Sequence, residues 1–433
     1  MTDDRRRTES TRNTTALADH VRPLDTDDPA APLDHGDLPA ELGDASVIAL
    51  GEATHGTREF FRLKHRFLRY LVTEHDARAF AMEANLPEAR AMDDYVTHGR
   101  GDPDDALSAV YFWTWQTEEL RALLDWLRDF NADRPLDDRV RVFGFDAQYT
   151  HGAVERLRGF LDTVDPEFRA ELDAPLEALD DEGEPAHRAD SLDATISAAD
   201  GVLDRLAARF DAEREAYVAA ASEDAYAFAR RCVRVCEHAA AYKRAMRAWQ
   251  ESEDDAMERL LEIRDEAMAE NVRWIRERAD GPVVLWGHDA HVNREHHSVR
   301  DAAVRAPSMG ARLADEYGDD YYAVGFAFGV GSFQAVGDRD GDTALREWAV
   351  DGPLAGTLES RLDALGHDVS VLDVRAARDD DRLADLLGSP TPHVSFGATY
   401  GGGDLAEYVT EYAYGEAFDA VCFVAETTRA TPL

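Results

Sequence analysis

Short, almost wholly apolar runs recur along the chain, and each is followed by a stretch with helical spacing. The runs cover residues 47–51, 79–83, 140–145, 283–287, 321–326, 369–372 and 420–424. Brief continuous runs of this kind suit strands buried on both faces, as in a parallel sheet with helices packed above and below it. Strands alternating with helices are built from βαβ units. The pattern predicts an α/β fold, a mostly parallel sheet flanked by helices.

The intervening segments support this. Residues 57–73 place Phe60, Phe61, Leu63, Phe67, Leu68, Leu71 and Val72 at helical spacing, and residues 118–130 do so with Leu120, Leu123, Leu124, Trp126 and Leu127. The interval from about 150 to 280 is too long for one crossover and is nearly all helical by pattern, with acidic breaks at 180–185 and 252–255. It is expected to be a helical insertion packed beside the sheet's edge. The organisation expected is a poorly ordered N-terminal segment (1–40, with a short helix near 16–20), a first part of the α/β core (41–150), the helical insertion (151–280) and a second part of the core (281–433). Gly401, Gly402 and Gly403 mark a flexible loop.

Composition narrows the setting. With 433 residues and 44% hydrophobic content the chain can bury a large core. Asp plus Glu is 88, Lys plus Arg is 47, and the net charge is -41, spread along the whole length. Aromatic content of 9% and regular apolar runs exclude a disordered acidic chain. The acidity reads as a solvent-facing adaptation to molar salt, where the Debye length is about 3 Å and self-repulsion is screened. A halophilic cytoplasm is the expected setting, and so much negative charge argues against a nucleic-acid partner. Only Lys64 and Lys243 are lysines; the other basic residues are arginines. Three cysteines make no disulfide framework. Cys232 and Cys236, four apart in a helical stretch, read as small buried residues rather than a Zn site. The run Arg5-Arg6-Arg7 lacks the apolar stretch that an export signal needs, and no run of about 18 apolar residues occurs, so a soluble cytoplasmic protein without a membrane partner is expected. The oligomeric state is left open.

The candidate site lies at the strand ends, because open parallel sheets bind ligands outside the carboxyl ends of their strands. The first run leads into Gly51-Glu52-Ala53-Thr54-His55-Gly56-Thr57-Arg58. The second ends in Glu83, with Asn85 just after; the third is followed by Asp146; the fourth runs into His288-Asp289-Ala290-His291. Singly, each has a plainer role: Glu52 could cap a helix, Glu83 could pair with Arg58 or Lys64, and Asp146 could turn the chain. Together they deliver histidines and carboxylates to one edge of one sheet. On the helical stretch 257–275, Arg264 and Asn271 share a face with Met257, Leu260, Leu261, Met268 and Ile275 and so need buried partners.

No Gly-x-Ser-x-Gly elbow, His-Glu-x-x-His helix, phosphate loop or dinucleotide fingerprint is present. A histidine flanked by carboxylates suits activation of water, with a second histidine or an arginine steadying the oxyanion. The same Glu52, His55, Glu83, His288 and His291 also have the chemistry to hold a divalent metal such as Zn or Mn. Three readings stand: a metal-independent hydrolase without a cofactor, a metal-dependent one, and a non-catalytic small-molecule-binding protein.

Several stretches resemble the signatures of the erythromycin-esterase-like family. They are Gly51-Glu-Ala-Thr-His-Gly-Thr-Arg-Glu-Phe60, Phe80-Ala-Met-Glu-Ala84, Phe112-Trp-Thr-Trp-Gln-Thr-Glu-Glu119, Arg264-Asp-Glu-Ala-Met-Ala-Glu-Asn271 and Leu285-Trp-Gly-His-Asp-Ala-His-Val292. The resemblance spans roughly 45 to 433. It implies an α/β fold with an added helical part and a deep cleft, and hydrolysis of an ester or lactone, with macrolide resistance behind the family's name. It assigns His55 the water-activating role, with Glu52, Glu83 and His288 as the matching catalytic residues. Arg58, Lys64, Trp113, Trp115, Arg264, Asn271 and His291 are the candidates for binding a small-molecule ester substrate. Lys64 stands where some members carry Arg, and Asp289 where Asn is common.

Overall fold

The computed structural model describes residues 13–183, 189–297, 304–339 and 341–433. Its strands are β1 (Val21–Leu24), β2 (Val47–Leu50), β3 (Ala79–Asn85), β4 (Arg141–Asp146), β5 (Val283–Trp286), β6 (Tyr321–Arg339), β7 (Asp342–Val350), β8 (Val369–Asp373), β9 (Thr391–Val394), β10 (Val409–Tyr412) and β11 (Ala420–Thr427). One nine-stranded sheet runs in the order β1-β8-β11-β6-β2-β5-β3-β4, with β7 paired to β6. From β4 to β11 neighbours are parallel. Strands β8, β1 and β7 join antiparallel at the margins. All seven expected runs are strands of this mixed α/β sheet.

The principal helices are α1 (Arg58–Glu74), α2 (Glu118–Asn131), α3 (His151–Val164), α4 (Ala189–Ala212), α5 (Glu223–Gln250) and α6 (Ala256–Arg276). Side chains alternate across the central strands, so each face has its own core. Ile48, Leu50, Val284 and Trp286 pack with Phe60, Phe61 and Phe67 of α1 and Leu123 and Leu124 of α2. Val47, Ala49, Val283 and Leu285 pack on the other face with Met268, Val272 and Ile275 of α6. Helices α3 to α5 close a third core around Leu157, Phe210, Tyr217 and Val233. Cys232 and Cys236 lie fully buried there, and burial pushes both thiols up. No helix among the described residues is long and apolar enough to cross a membrane.

Two features differ from the sequence reading. The first 40 residues are not simply a poorly ordered lead: 13–18 are helical, and β1 pairs with β8, covering what would be an open sheet edge. Strand β6 runs on to Arg339 and turns back as β7, whose residues are mostly exposed and so carry no apolar signal.

Candidate active site

The carboxyl ends of β2, β3, β4 and β5 bring the expected groups together. The crossing of chains behind them is tight. A Cβ on Gly51 would come within 1.9 Å of Asp289 Oδ1 and 2.9 Å of the Val324 carbonyl, so only glycine fits there.

His55 Nδ1 stands 2.7 Å from Glu52 Oε1. A carboxylate only accepts, so Nδ1 carries the proton and Nε2 is left as the basic atom. Glu52 is fully buried, and its Oε2 accepts from Lys64 Nζ at 2.5 Å and Trp286 Nε1 at 2.9 Å. Glu52 therefore has no freedom to rotate away from His55. The His288 ring centroid is 4.9 Å from that of His55. His288 Nδ1 accepts from the Ala290 N–H at 3.1 Å, and Nε2 donates to the Phe396 carbonyl at 3.0 Å. Burial, then the adjacent His55, hold this imidazole well below the usual histidine range. His288 is thus a neutral ring of fixed tautomer.

The second half of the site is an ionic knot. Glu83 Oε1 accepts from Arg264 Nη2 at 2.7 Å, and Oε2 accepts from the backbone N–H of His288 at 2.8 Å. Arg264 also donates to Asp146 at 2.8 and 3.3 Å and lies 3.0 Å from His291 Nε2. Burial alone would raise Glu83, but His291, Arg264 and His55 outweigh it and hold the carboxyl below the usual range. Arg264 is in turn held charged: burial works against it, and Asp146 and Glu83 prevail. His291 Nδ1 faces Asp265 Oδ1 at 3.0 Å. Burial lowers His291, yet Asp265 and Glu83 raise it by more. Neutral, its Nε2 accepts from Arg264; protonated, it turns its N–H to Glu83 Oε1, 3.4 Å away.

A pocket of about 180 Å³ opens beside His288, walled by Ala290, Ser395, Tyr408 and Thr410. A larger cavity, about 660 Å³, lies at the opposite ends of β3 and β4 among Arg78, Arg90, Arg141 and Asp93. It touches none of the groups above, so the chemistry marks the smaller pocket.

The family model described as erythromycin esterase matches residues 72–427. The chain belongs to the erythromycin esterase family. Erythromycin esterase type II of Escherichia coli is 24% identical over 303 residues, covering 66% of this chain and 69% of that protein. A Bacillus cereus protein of known crystal structure superposes with a TM-score of 0.82 at 22% identity, covering 98% of this chain and 99% of the other. A mutant of the erythromycin esterase EreC in its open conformation superposes with a TM-score of 0.70 at 18% identity, covering 94% and 98%. Likeness at these identities extends to the fold.

Against the erythromycin esterase expectation, the sheet edge gathers Glu52, His55, Glu83, His288, Arg264 and His291 but not every proposed binding residue. Arg58, the first residue of α1, turns outward to Glu119, 3.6 Å away. Asn271 is fully buried, accepts from Arg231 at 2.8 Å and donates to the Phe145 carbonyl at 2.8 Å, so it ties α6 to α5 and β4 inside the core. Lys64 is fully buried, with its ammonium on Glu52. Trp115 is 1% exposed; its Nε1 donates to the Glu83 carbonyl and its ring stands edge-on to His55. It backs the base. Trp113 is half-buried in the turn before α2.

The five-residue metal set does not converge. Both Glu52 oxygens and both His288 nitrogens are engaged as described. Among the described residues, the one group with ligand atoms within 4.8 Å of one another is Asp265, His291 and His297. Three N–H groups converge on Asp265 there, from His291 Nδ1, His297 Nε2 (2.8 Å) and Met309 N (2.7 Å), with the Arg264 cation on the far side of His291. A cation there would have to displace the imidazole N–H groups from Asp265. Asp265 and His297 were not anticipated; Asp265 sits inside a recognised motif, while nothing near His297 signals its contact. Trp286, likewise inside a motif, shows its role only when its N–H meets Glu52.

Proposed function

We propose that this protein hydrolyses a carboxylic ester or lactone, with His55 as general base. The observation that carries the reading is the fixed chain Lys64–Glu52–His55: it sets the proton on Nδ1 and leaves Nε2 without a hydrogen-bond partner among the described residues. His55 Nε2 takes a proton from water as the water oxygen attacks the carbonyl carbon. Arg264 has five N–H groups, four of them engaged with Glu83, Asp146 and His291, and the fifth, on Nη1, is available to the oxyanion. The tetrahedral species expels an alkoxide, which recovers the proton from the His55 imidazolium. Glu83 binds both Arg264 and the His288 backbone and so keeps the two halves in register. No cofactor is required in this scheme.

The test is turnover of a panel of aryl esters and macrolactones in molar KCl, parent against His55→Ala, with and without a chelator. A loss of about a hundredfold or more in the variant supports base catalysis. Equal turnover in both proteins removes His55 from the mechanism. Ligand binding without turnover in either makes this a binding protein. A second reading, metal-dependent hydrolysis, has one observation in its favour, the Asp265, His291 and His297 cluster. It requires activity to be lost to the chelator and restored by Zn or Mn. We further propose a cytoplasmic setting of high salt, from the net charge of -41.

A further inference from the structure

Behind the two histidine loops lies a buried ionic group that the proposed hydrolysis does not use. The chain from β9 continues through Ser395 and Phe396 as a strap across the carboxyl edge. The Phe396 N–H donates to the Ala53 carbonyl at 2.7 Å, and the Phe396 carbonyl accepts from His288 Nε2. One residue thus touches both the Glu52–His55 loop and the His288 ring.

His393, on the same strap, is 2% exposed and lies between two carboxylates. Its Nδ1 is 2.7 Å from Glu359 Oε1, and its Nε2 is 3.4 Å from Asp289 Oδ2. Tyr414 Oη lies 3.0 Å from Nδ1. Glu359 also accepts the Val394 N–H at 3.0 Å, which ties the strap to the 358–363 helix. Asp289 is the junction of the catalytic loops. Its N–H donates to the Glu52 carbonyl at 3.0 Å, its carboxylate takes the Phe326 N–H at 3.2 Å, and Gly51 passes against it.

Both carboxylates are essentially inaccessible to water. Arg361 near Glu359, Lys64 near Asp289, and the Tyr412 and Tyr414 hydroxyls are the other titratable groups facing the pair. Burial raises the Asp289 carboxyl, and His393, then Lys64, work against that; Lys64 is already bound to Glu52, so the imidazole is the cation shared by the two buried carboxyls. Nε2 makes no hydrogen bond, so its contact with Asp289 is ionic, and it is the charge of the imidazolium that serves both carboxylates. Burial lowers His393, but Glu359 and Asp289 raise it to about 10. Without that cation, a buried carboxylate would be left uncompensated at the point where the loops cross.

We propose that His393, as an imidazolium bridging Glu359 and Asp289, is a positioning residue that holds the His288 ring and the Glu52–His55 loop in register. This rests on the reading of His55 and His288 as the active site.

The test is a cycle of His393→Gln, Asp289→Asn and the double variant, read by kcat and KM and by the ¹⁵N shifts of His288 in histidine-labelled protein, assigned with His288→Asn. Removing the cation alone should lower kcat about tenfold with little change in KM and should disturb the His288 tautomer signature. The double variant removes the buried anion with the cation, and should recover most of kcat and the parental shifts. If His393→Gln leaves kcat and the shifts unchanged, or if the double variant is as impaired as the single, the proposal is wrong. Should His393→Gln fail to fold, the double variant must fold and turn over, or the charge argument falls. If the parent hydrolyses no ester, the shifts still report on the bridge, so failure of the hydrolase reading is separable from failure of this one.

Discussion

The chain has two lysines, and both are fully buried against a buried carboxylate, one in each half of the molecule. Lys64, on α1, binds Glu52 at 2.5 Å and lies 4.5 Å over the Trp286 ring. One carboxylate separates it from His55. Lys243, on α5, stands 2.9 Å from Asp181 Oδ2 in the helical half. Asp181 accepts the N–H groups of Thr150 and His151, where α3 begins. The pairs are alike in chemistry and differ in what lies one contact further on, the His55 imidazole proposed as the base or a helix start. The comparison also shows why lysine persists here among arginines. A compact ammonium brings three donors beside its carboxylate, whereas a guanidinium would bring five into a space with few acceptors.

The sharpest way to break the comparison is to remove each cation in turn. Lys64→Met should lower kcat about a hundredfold, because Glu52 no longer holds His55 in its working tautomer. Lys243→Met should leave kcat near the parental value. Equal losses in ester turnover would mean that the two pairs are not distinct. The next effect is on stability. Lys243→Met strands Asp181, and the unfolding free energy should drop by about 3 kcal/mol in denaturant titrations in molar KCl. A shift well below that would show that the N–H groups of α3 suffice for Asp181.

The sheet half also carries the cation His393, which titrates. Its value rises from 6.5 to about 10 on folding. A raised histidine contributes stability that is complete below 6.5 and is lost as pH climbs through about 10. Unfolding free energy followed across that window should fall in the parent and stay flatter in the His393→Gln, Asp289→Asn double variant. The smallest effect concerns salt. Raising KCl from about 0.1 M to about 1 M shortens the Debye length from about 10 to about 3 Å, which should stabilise the parent through its acidic surface. The gap between parent and Lys243→Met should stay constant, since a buried pair is barely screened; a gap that closes with salt would place that pair in contact with solvent.

Legibility followed burial and chain proximity. The seven core strands were readable because strands covered on both faces are apolar along most of their length, as β2 and β5 are throughout. Glu52, His55, Glu83 and His288 were readable because each lies in or within a few residues of such a strand, and a parallel sheet brings those ends to one edge. Strands β7, β9 and β10 left no such trace: β7 is largely exposed, and the other two form a four-residue ribbon outside the main sheet. Arg58, Lys64, Trp115 and Asn271 had the right chemistry for substrate contact, but the direction of a side chain at a helix start or beside a core is a packing outcome.

The sequence by itself determined the α/β class, the edge where the chemistry gathers and the residues that supply it, because periodicity and chain order are local properties. Only the tertiary structure decided which atoms meet. Lys64 on Glu52, Arg264 across Glu83 and Asp146, and His393 between Asp289 and Glu359 join residues from 12 to 181 positions apart. Such pairings arise when buried charges find partners in a packed interior, and no spacing rule along the chain encodes them.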